Sequence, residues 1–373
     1  MGLSNIEVKK QNRNSVLRYM LKAEAAPKNM IAEALGLSIP TVAQGIRELE
    51  EKGLVKEEGV LESMGGRKAK SYRCIRDAKL AIGLDITANH VNVVVINLAM
   101  EVLYTKRVQL RLKDDETSYE KLKNVVFAAI GESGINQKDI LGLGISLPAI
   151  IDETGTQIYA MHEQMKISYK IHEIAAKWFS FPVLLENDAN CGGKAEYHAG
   201  GTSPDCVYFF VSQSVGGAVM VEGKACYGRS RRLGEFGHMT LVPGGRICYC
   251  GRQGCVNGYC STKLLSDRTG GNLGEFFEGL KAGRGDLKKV WGEYLDHLAL
   301  AIHNLIMAFD YDLIIGGYLG QYIDDYMEEL GEKIRKLDPY LKDMSFLKPA
   351  VYKYEASAVG AALIFIEKFV SRI

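Results

Sequence analysis

The sequence has no uninterrupted apolar stretch that approaches the roughly 20 residues of a membrane helix. Its first residues, Met1 to Glu7, also lack an apolar run of the signal-peptide kind. Neither sign of charge dominates, because 46 Lys and Arg residues stand against 45 Asp and Glu residues, giving a net charge of +1. This balance excludes a global attraction to nucleic acid or to membranes, so any basic surface must be local. We expect a cytoplasmic protein with no membrane partner.

What is present is the composition of an ordinary globular protein. Hydrophobic residues make up 47% and charged residues 24% of a chain of 373, which is long enough for two or three domains. Residues 1–78 show short helical patterns. From Leu80 onward, short apolar runs alternate with longer helical patterns such as 121–132 and 290–309. The alternation predicts an α/β fold with buried strands over residues 79–373, preceded by a separate domain over residues 1–78.

A histidine followed by a tight group of cysteines is the most informative motif. His238 ends a Gly-Glu-Phe-Gly-His stretch, and Cys248, Cys250 and Cys255 follow within a short loop. One imidazole and three thiols complete a tetrahedral Zn²⁺ shell and leave no open position, which predicts a structural ion. The two glycines between the last two cysteines permit the sharp turns that this geometry needs. The alternative is a group of buried or paired cysteines, which a reducing compartment disfavours.

Residues 14–57 have the pattern of a winged helix-turn-helix. The turn is expected at Gly36, which tolerates the left-handed conformation that ends a helix. Ser38 can cap the next helix, and Pro40 is tolerated in its first turn. The buried face of this helix is predicted from three apolar residues at helical spacing, Val42, Ile46 and Leu49. The pairs Leu54-Val55 and Val60-Leu61 are expected to flank a small wing.

Polar side chains on the outer face of this helix are candidate DNA contacts, because early residues of a recognition helix reach base edges in the major groove. With the cap they form the set Ser38, Pro40, Thr41, Gln44 and Arg47. Arg67 and Lys68 follow two glycines in a linker beyond the wing, where an arginine can enter a narrow minor groove. Two copies on a palindromic operator are expected, hence a homodimer or a tetramer. The alternatives are a dimerisation or protein-docking domain and, for the basic run, a solvated linker.

Four motifs in order carry a family resemblance: Glu186-Asn187-Asp188-Ala189-Asn190, the Gly-Glu-Phe-Gly-His stretch, the cysteine cluster and the closing segment 355–362. Together they resemble the ROK family over about residues 80–373. The helix-turn-helix in front points to its transcriptional regulators, similar to xylose and N-acetylglucosamine repressors. The resemblance implies an actin/hexokinase-like (ribonuclease H-like) fold with two α/β lobes, lobe one at about 79–187 plus 355–373 and lobe two at about 188–354.

The resemblance also implies which residues face a bound sugar. Asn187 and Asp188 would hydrogen-bond sugar hydroxyls together with Glu235 and His238, and Asp188 would be a catalytic base only in a kinase. Asn257 stands where the family usually has a glutamate, so it is a fifth candidate contact without the charge. That departure indicates a different ligand, a lower affinity or no sugar effector. Taken alone, the Asn-Asp pair is typical of a turn at a strand end.

Two loops decide between an enzyme and a sensor. Kinases of the family carry glycine-rich phosphate loops, but here the corresponding segments are Asp85-Ile86-Thr87-Ala88-Asn89 and Ser212-Gln213-Ser214-Val215-Gly216-Gly217-Ala218. Most of the glycines are gone, and backbone amides hold phosphates only where the chain can approach closely. We expect a non-enzymatic repressor of sugar-utilisation genes that binds an operator, a sugar effector and a structural zinc. The alternatives are an ATP-dependent sugar kinase with an accessory domain and a regulator that binds a sugar-transporter component.

Overall fold

The computed structural model describes residues 4–60, 70–200 and 202–373. The chain begins with a small domain of three helices and three short strands: α1 (Asn5–Lys22), β1 (Ala26–Pro27), α2 (Lys28–Leu35), α3 (Ile39–Glu51), β2 (Val55–Val60) and β3 (Lys70–Cys74). The strands form an antiparallel sheet in the order β1-β3-β2. Arg67 and Lys68 lie outside the described residues.

The turn between α2 and α3 forms as the sequence predicts. Gly36 ends α2 at φ 62°, and its N–H donates to the carbonyls of Ala32 and Glu33. The Ser38 side chain accepts from the N–H of Thr41 and caps α3, which has a proline in its first turn. The predicted inner face is confirmed, because the side chains of Val42, Ile46 and Leu49 are fully buried.

The wing differs from the prediction. The partner of β2 is β3, with Val55 opposite Cys74, and not a strand that starts at Val60-Leu61. In the sequence, the Gly-Gly-Arg segment comes between β2 and β3, and so precedes the second strand of the wing. This pairing could not be predicted from apolar runs, because β3 has few apolar residues. Its Tyr72 and Cys74 side chains are nevertheless buried against the helices.

Lobe one is built on a five-stranded mixed sheet in the order β10-β7-β4-β5-β6. Its elements are β4 (Leu80–Ile86), β5 (His90–Asn97), β6 (Val102–Gln109), α4 (Glu116–Ser133), β7 (Ile140–Leu147), the hairpin β8 (Ala149–Ile151) and β9 (Ile158–Met161), α5 (Ile171–Ala175) and β10 (Val183–Asn187). β4, β5 and β6 form an antiparallel meander, whereas β7 and β10 run parallel to β4. The sheet thus ends at Asn187, the first residue of the predicted ligand site.

Lobe two has a second five-stranded sheet in the order β13-β12-β11-β14-β15. Its elements are α6 (Asp188–Ala199), β11 (Cys206–Val211), β12 (Val215–Val221), β13 (Lys224–Cys226), α7 (Asn257–Cys260), α8 (Lys263–Ser266), α9 (Leu273–Lys281), α10 (Gly285–Phe309), β14 (Asp312–Gly316), α11 (Met327–Leu337) and β15 (Leu347–Pro349). The chain returns to lobe one through α12 (Ala356–Arg372). The predicted α/β fold behind an N-terminal winged helix-turn-helix is confirmed.

Helix α12 lies very close to its neighbours. A side chain at Gly83 of β4 would meet the carbonyl oxygen of Ala358 at 1.8 Å, and one at Gly360 would meet that of Cys191 in α6 at the same distance. Glycine at both positions is therefore a steric requirement of the packing. α12 is fixed between the sheet of lobe one and α6.

One hydrophobic cluster joins the N-terminal domain to lobe one. It contains Val16 and Leu17 of α1, Val94 of β5, and Phe365 and Ile366 of α12. The Asn14 side chain also donates to the Ser371 carbonyl at 3.0 Å. The helix-turn-helix is thus packed on α12 and lobe one. Among the helices that the structure describes, none has the length and apolar character needed to cross a membrane.

Candidate functional site

The four predicted metal ligands come together in space. The ligand atoms of His238, Cys248, Cys250 and Cys255 all lie within 4.8 Å of one another. The Sγ atoms of Cys250 and Cys255 are 3.8 Å apart, and the Cys248 Sγ is 3.9 Å from the His238 Nδ1. Thiolates about 2.3 Å from a tetrahedral ion would be roughly 3.8 Å apart, so the donor set fits such an ion. No described cysteine forms a disulfide.

Backbone conformation explains how the cysteines converge. Gly251 has φ 83° and Gly254 has φ 82°, both in the left-handed region that glycine favours. A side chain at Gly254 would also meet the Val242 carbonyl oxygen at 1.9 Å. Bridges between Thr240 and Cys255 and between Ile247 and Gln253 hold the loop together. The loop is therefore shaped by its own backbone as well as by its ligands.

The two ring nitrogens of His238 have different neighbours: one faces the cysteines and the other faces the cleft. Nδ1 faces the thiol of Cys248, whereas Nε2 lies 3.1 Å from the Tyr249 hydroxyl and 3.9 Å from the Glu235 carboxylate. When Nδ1 is a metal ligand, Nε2 carries the hydrogen and donates it. The hydrogen bond goes to Tyr249, a residue that sequence reasoning missed even though it lies between two predicted ligands.

The cleft between the lobes contains two cavities. The metal-side compartment, of about 340 Å³, is lined by Asn187, Asp188, Glu235, His238 and Tyr249, among others. The far compartment, of about 510 Å³, lies against the turn that follows β4 and the segment that follows β14. Five residues line both and so mark their junction, namely Pro148, His162, Asp188, Phe210 and Ser214. Four of the five predicted sugar contacts thus share one compartment.

Asn187 has a structural role, whereas Asp188 presents a carboxyl group to the cleft. Asn187 caps α6, since its Oδ1 accepts from the Asn190 N–H at 3.0 Å, and its Nδ2 donates to the Ala149 carbonyl at 3.1 Å. The alternative interpretation expected a turn at a strand end; the pair does lie at the end of β10, where a helix starts directly. Burial, together with the charge of Asp85, raises the pKa of Asp188 to about 7. This carboxyl group can donate or accept a hydrogen bond near neutral pH.

Asp85 is the second carboxyl group of the cleft. It is buried at the end of β4 and accepts hydrogen bonds from the Ser146 hydroxyl at 2.9 Å and from the Asn92 amide at 3.0 Å. Burial raises its pKa to about 6, although both hydrogen bonds and the charge of Arg107 act in the opposite direction. The carboxyl groups of Asp85 and Asp188 therefore both face the cleft, and in each the effect of burial on the pKa exceeds that of the hydrogen-bond partners.

Asn257 is the exception among the predicted sugar contacts. It is buried, and its Oδ1 accepts from the Val215 N–H at 2.8 Å. It lines neither compartment. The structure therefore places it behind β12, where it holds the start of that strand.

The segments 85–89 and 212–218, which the resemblance aligns with phosphate loops, use some of their own donors internally. In the first, the His90 N–H donates to the Thr87 hydroxyl at 3.0 Å, and that hydroxyl donates to the His90 carbonyl. In the second, the Ser212 N–H donates to the Ser214 carbonyl at 3.0 Å, and the Val215 N–H to the Asn257 side chain. Part of the backbone of these segments is thus engaged in internal hydrogen bonds.

A stack of side chains also crosses the far compartment. The Arg107 guanidinium of lobe one lies 5.3 Å from the ring centre of Tyr318 and 5.0 Å from that of Tyr354. Such cation–π contacts fix the arginine between the two rings. Sequence reasoning missed all three, because they come from distant segments that only the topology brings together.

The predicted DNA contacts lie along one side of α3. Ser38, Pro40 and Arg47 are exposed, and Thr41 and Gln44 are half-buried. The Gln44 amide donates to Glu48 at 3.1 Å, and Glu48 also pairs with Arg13 of α1. Arg47 is thus the exposed cation of the helix, and Gln44 must leave its partner before it can contact a base.

Comparison with known proteins shows two matches that together span most of the chain. A model described as ROK family matches residues 81–368, and one described as winged helix-turn-helix DNA-binding matches residues 10–56. The chain is 26% identical to a xylose repressor of Caldicellulosiruptor bescii, across 94% of each chain.

Solved structures agree with this organisation. A ROK family transcriptional regulator described as a homolog of the Escherichia coli MLC protein superposes with TM-score 0.76 at 19% identity, over 98% of this chain and 97% of the other. A ROK hexokinase from Thermus thermophilus superposes with TM-score 0.61 at 27% identity, over 76% of this chain and 97% of the other. The regulator's match extends over the N-terminal domain as well, whereas the hexokinase's covers a smaller part of the chain.

Proposed function

Because the chain belongs to the ROK family and carries a winged helix-turn-helix in front of the family domain, we propose that it is a repressor of sugar-utilisation genes whose cleft binds a sugar effector. The observation that carries the proposal is the packing of the helix-turn-helix on α12, whose first residues line the far compartment. The xylose repressor named above supports it, since the similarity covers both domains.

The operator is contacted by α3 in the proposed complex. Thr41, Gln44 and Arg47 lie on its accessible side, and the Ser38 cap places the start of the helix where a backbone phosphate would meet it. Arg67 and Lys68, between the strands of the wing, would add contacts to the minor groove or backbone. We propose a homodimer on a palindromic site, because one helix-turn-helix binds weakly alone.

A structural Zn²⁺ held by His238, Cys248, Cys250 and Cys255 completes the proposal. The chemistry that supports it is a donor set of one imidazole and three thiols at the spacing of a tetrahedral shell. The bound ion would tie the loop together, so that Glu235 and Tyr249 keep their places on the wall of the metal-side compartment. It supplies no open position and hence no Lewis-acid chemistry.

The sugar is proposed to bind in the metal-side compartment. Its wall offers the carboxyl groups of Asp188 and Glu235 and the Tyr249 hydroxyl, a mixture of donors and acceptors that matches a polyol. Asn187 and His238 contribute mainly by holding α6 and Tyr249 in position, because their polar atoms already have partners.

The far compartment argues for a sensor over the alternative sugar kinase. Some amides of the segments 85–89 and 212–218 are engaged internally, and Tyr318, Arg107 and Tyr354 stack along the far compartment, where a nucleotide bound in that compartment would compete with them. A kinase would have to break these contacts with each turnover. An assay of ADP release over a sugar panel distinguishes the two, and turnover abolished by Asp188→Asn would favour the kinase.

The proposal is tested by electrophoretic mobility shift with fragments from upstream of the chain's own operon, with and without sugars such as D-xylose. We expect specific binding at one fragment that a sugar weakens. Failure to bind any local promoter fragment more tightly than a random duplex would remove the repressor role.

A further inference from the structure

His162 follows β9 and lies at the junction of the two compartments, which it lines together with Asp188. Its position is fixed from three directions. The His162 N–H donates to the Pro148 carbonyl at 2.9 Å, its carbonyl accepts from the Met165 N–H, and its ring packs on Tyr249 of the metal loop at 4.5 Å between centres. The ring is therefore held at the junction and is not a mobile surface side chain.

The two nitrogens of this ring differ. Nδ1 accepts a hydrogen bond from the Gln164 N–H at 3.3 Å, so the ring carries its hydrogen on Nε2. The Nε2 atom is buried and has no hydrogen-bond partner among the described residues. A buried donor without a partner costs free energy, and a ligand oxygen would recover it once a small shift of the ring opened room beside Nε2.

We propose that His162 determines the specificity of the effector site: its Nε2–H donates to one hydroxyl of a neutral sugar that lies at the junction, beside the carboxyl group of Asp188. This inference rests on the proposed function, because it assigns a role within the sugar site. A hydroxyl is the group that suits the place, since it accepts from the imidazole and donates to the carboxylate. A ligand without that hydroxyl leaves both protein groups unpaired, which is how polar sites reject deoxy analogues.

Three variants of the full chain isolate the Nε2–H. His162→Phe keeps a ring against Tyr249 but removes the donor. His162→Gln restores an N–H near the position of Nε2 and serves as the conservative rescue. His297→Phe is the matched control, because His297 also packs on a tyrosine, Tyr259 at 4.7 Å, yet lines neither compartment.

A monosaccharide panel that includes D-xylose is first screened against the wild-type chain by thermal shift. Isothermal titration then measures the dissociation constants of the best binder and its monodeoxy series for all four proteins. We expect His162→Phe to weaken the parent sugar about tenfold or more, His162→Gln to recover most of this loss, and His297→Phe to match the wild type. One deoxy analogue should bind the wild type and His162→Phe equally.

The outcomes separate the two proposals. If a panel sugar binds the wild type and His162→Phe binds it equally well, the assignment of His162 is overturned and the sugar site stands. Equal losses for the parent sugar and every deoxy analogue would also overturn it, since they indicate a structural role. If no panel sugar binds the wild type, the proposed sugar effector fails, and the role of His162 fails with it.

Discussion

Asp188 and Asp85 are carboxyl groups of the cleft whose protonation the fold alters, with pKa values raised to about 7 and about 6. The unfolded pKa of an aspartate is about 3.9. Between that value and the folded pKa, the folded chain binds more protons than the unfolded chain. The neutral carboxyl groups therefore contribute to the free energy of unfolding at acidic pH. This contribution is lost as the pH rises to about 7.

Asp188→Asn should flatten this dependence, because an amide does not ionise and can still accept from the Ala189 N–H. We expect its melting temperature to change less than that of the wild type between pH 5 and pH 8, and to exceed it at pH 8. Differential scanning calorimetry measures both. Glu153→Gln, at an exposed carboxylate of the β8–β9 turn, is the control. An unchanged slope for Asp188→Asn would contradict the assignment.

Among individual residues, the sequence predicted those whose role depends on neighbours in the same short segment. The metal ligands lie in one short segment, and the cap and buried face of α3 follow from adjacent positions, so spacing was enough to find them. His162, Arg107, Tyr318 and Tyr354 converge from four distant segments, and no spacing rule connects them. Asn257 was assigned to the sugar by its place in a motif, but its partner proved to be the backbone of Val215.

Among the elements, the loop from His238 to Cys255 is the one that the proposed zinc ion would hold together. Cys250→Ser and Cys255→Ser should each lower the zinc content from about one per chain to near zero, because a hydroxyl is a far poorer zinc ligand than a thiolate. Elemental analysis by mass spectrometry gives the ratio. Cys226→Ser, outside the cluster, should retain the metal. Zinc that stayed at one per chain in both cluster variants would show that the ligands are misassigned.

Helix α3 carries the electrostatic part of the proposed DNA contact. Arg47→Ala should weaken operator binding and reduce the slope of log affinity against log salt by about one, if the exposed guanidinium neutralises a phosphate. Fluorescence anisotropy at several salt concentrations measures the slope. Arg268→Ala, at an exposed arginine of lobe two, should leave it unchanged. Arg67→Ala in the same titration tests the wing, and an unaltered slope would argue against a contact there.

The elements themselves were predicted well where the pattern was strong. The helical patterns at 121–132 and 290–309 fall within α4 and α10, and the apolar run from Leu80 falls within β4. The wing was predicted but its second strand was misplaced, because β2 pairs with β3 across residues 61–69, a separation over which periodicity gives no information. The antiparallel meander β4–β6 was also not foreseen, since apolar runs alone do not reveal strand direction.

For the whole molecule, the order of motifs along the chain was the decisive signal, and the family predicted from it is confirmed by the match over residues 81–368. A repressor that releases its operator when a sugar binds requires a thermodynamic coupling between the two proposed sites. A sugar that lowers operator affinity by a factor of about 5–150 must have its own affinity lowered by operator DNA by the same factor. Titrating the sugar with and without saturating operator duplex checks this equality, and a sugar affinity indifferent to operator would show that the sites are not coupled.

The close contacts of α12 determine which parts of the molecule move as one rigid unit. With the Ala358 and Cys191 carbonyls set against glycines, this helix has no room to tilt against the sheet of lobe one or against α6, and the DNA-reading domain is seated on it. In the proposed homodimer, closure of the cleft would therefore have to move α12, α6 and the DNA-reading domain together, and this would change the separation of the two reading domains. Rearrangements around a ligand would thereby produce a mismatch with the spacing of successive major grooves.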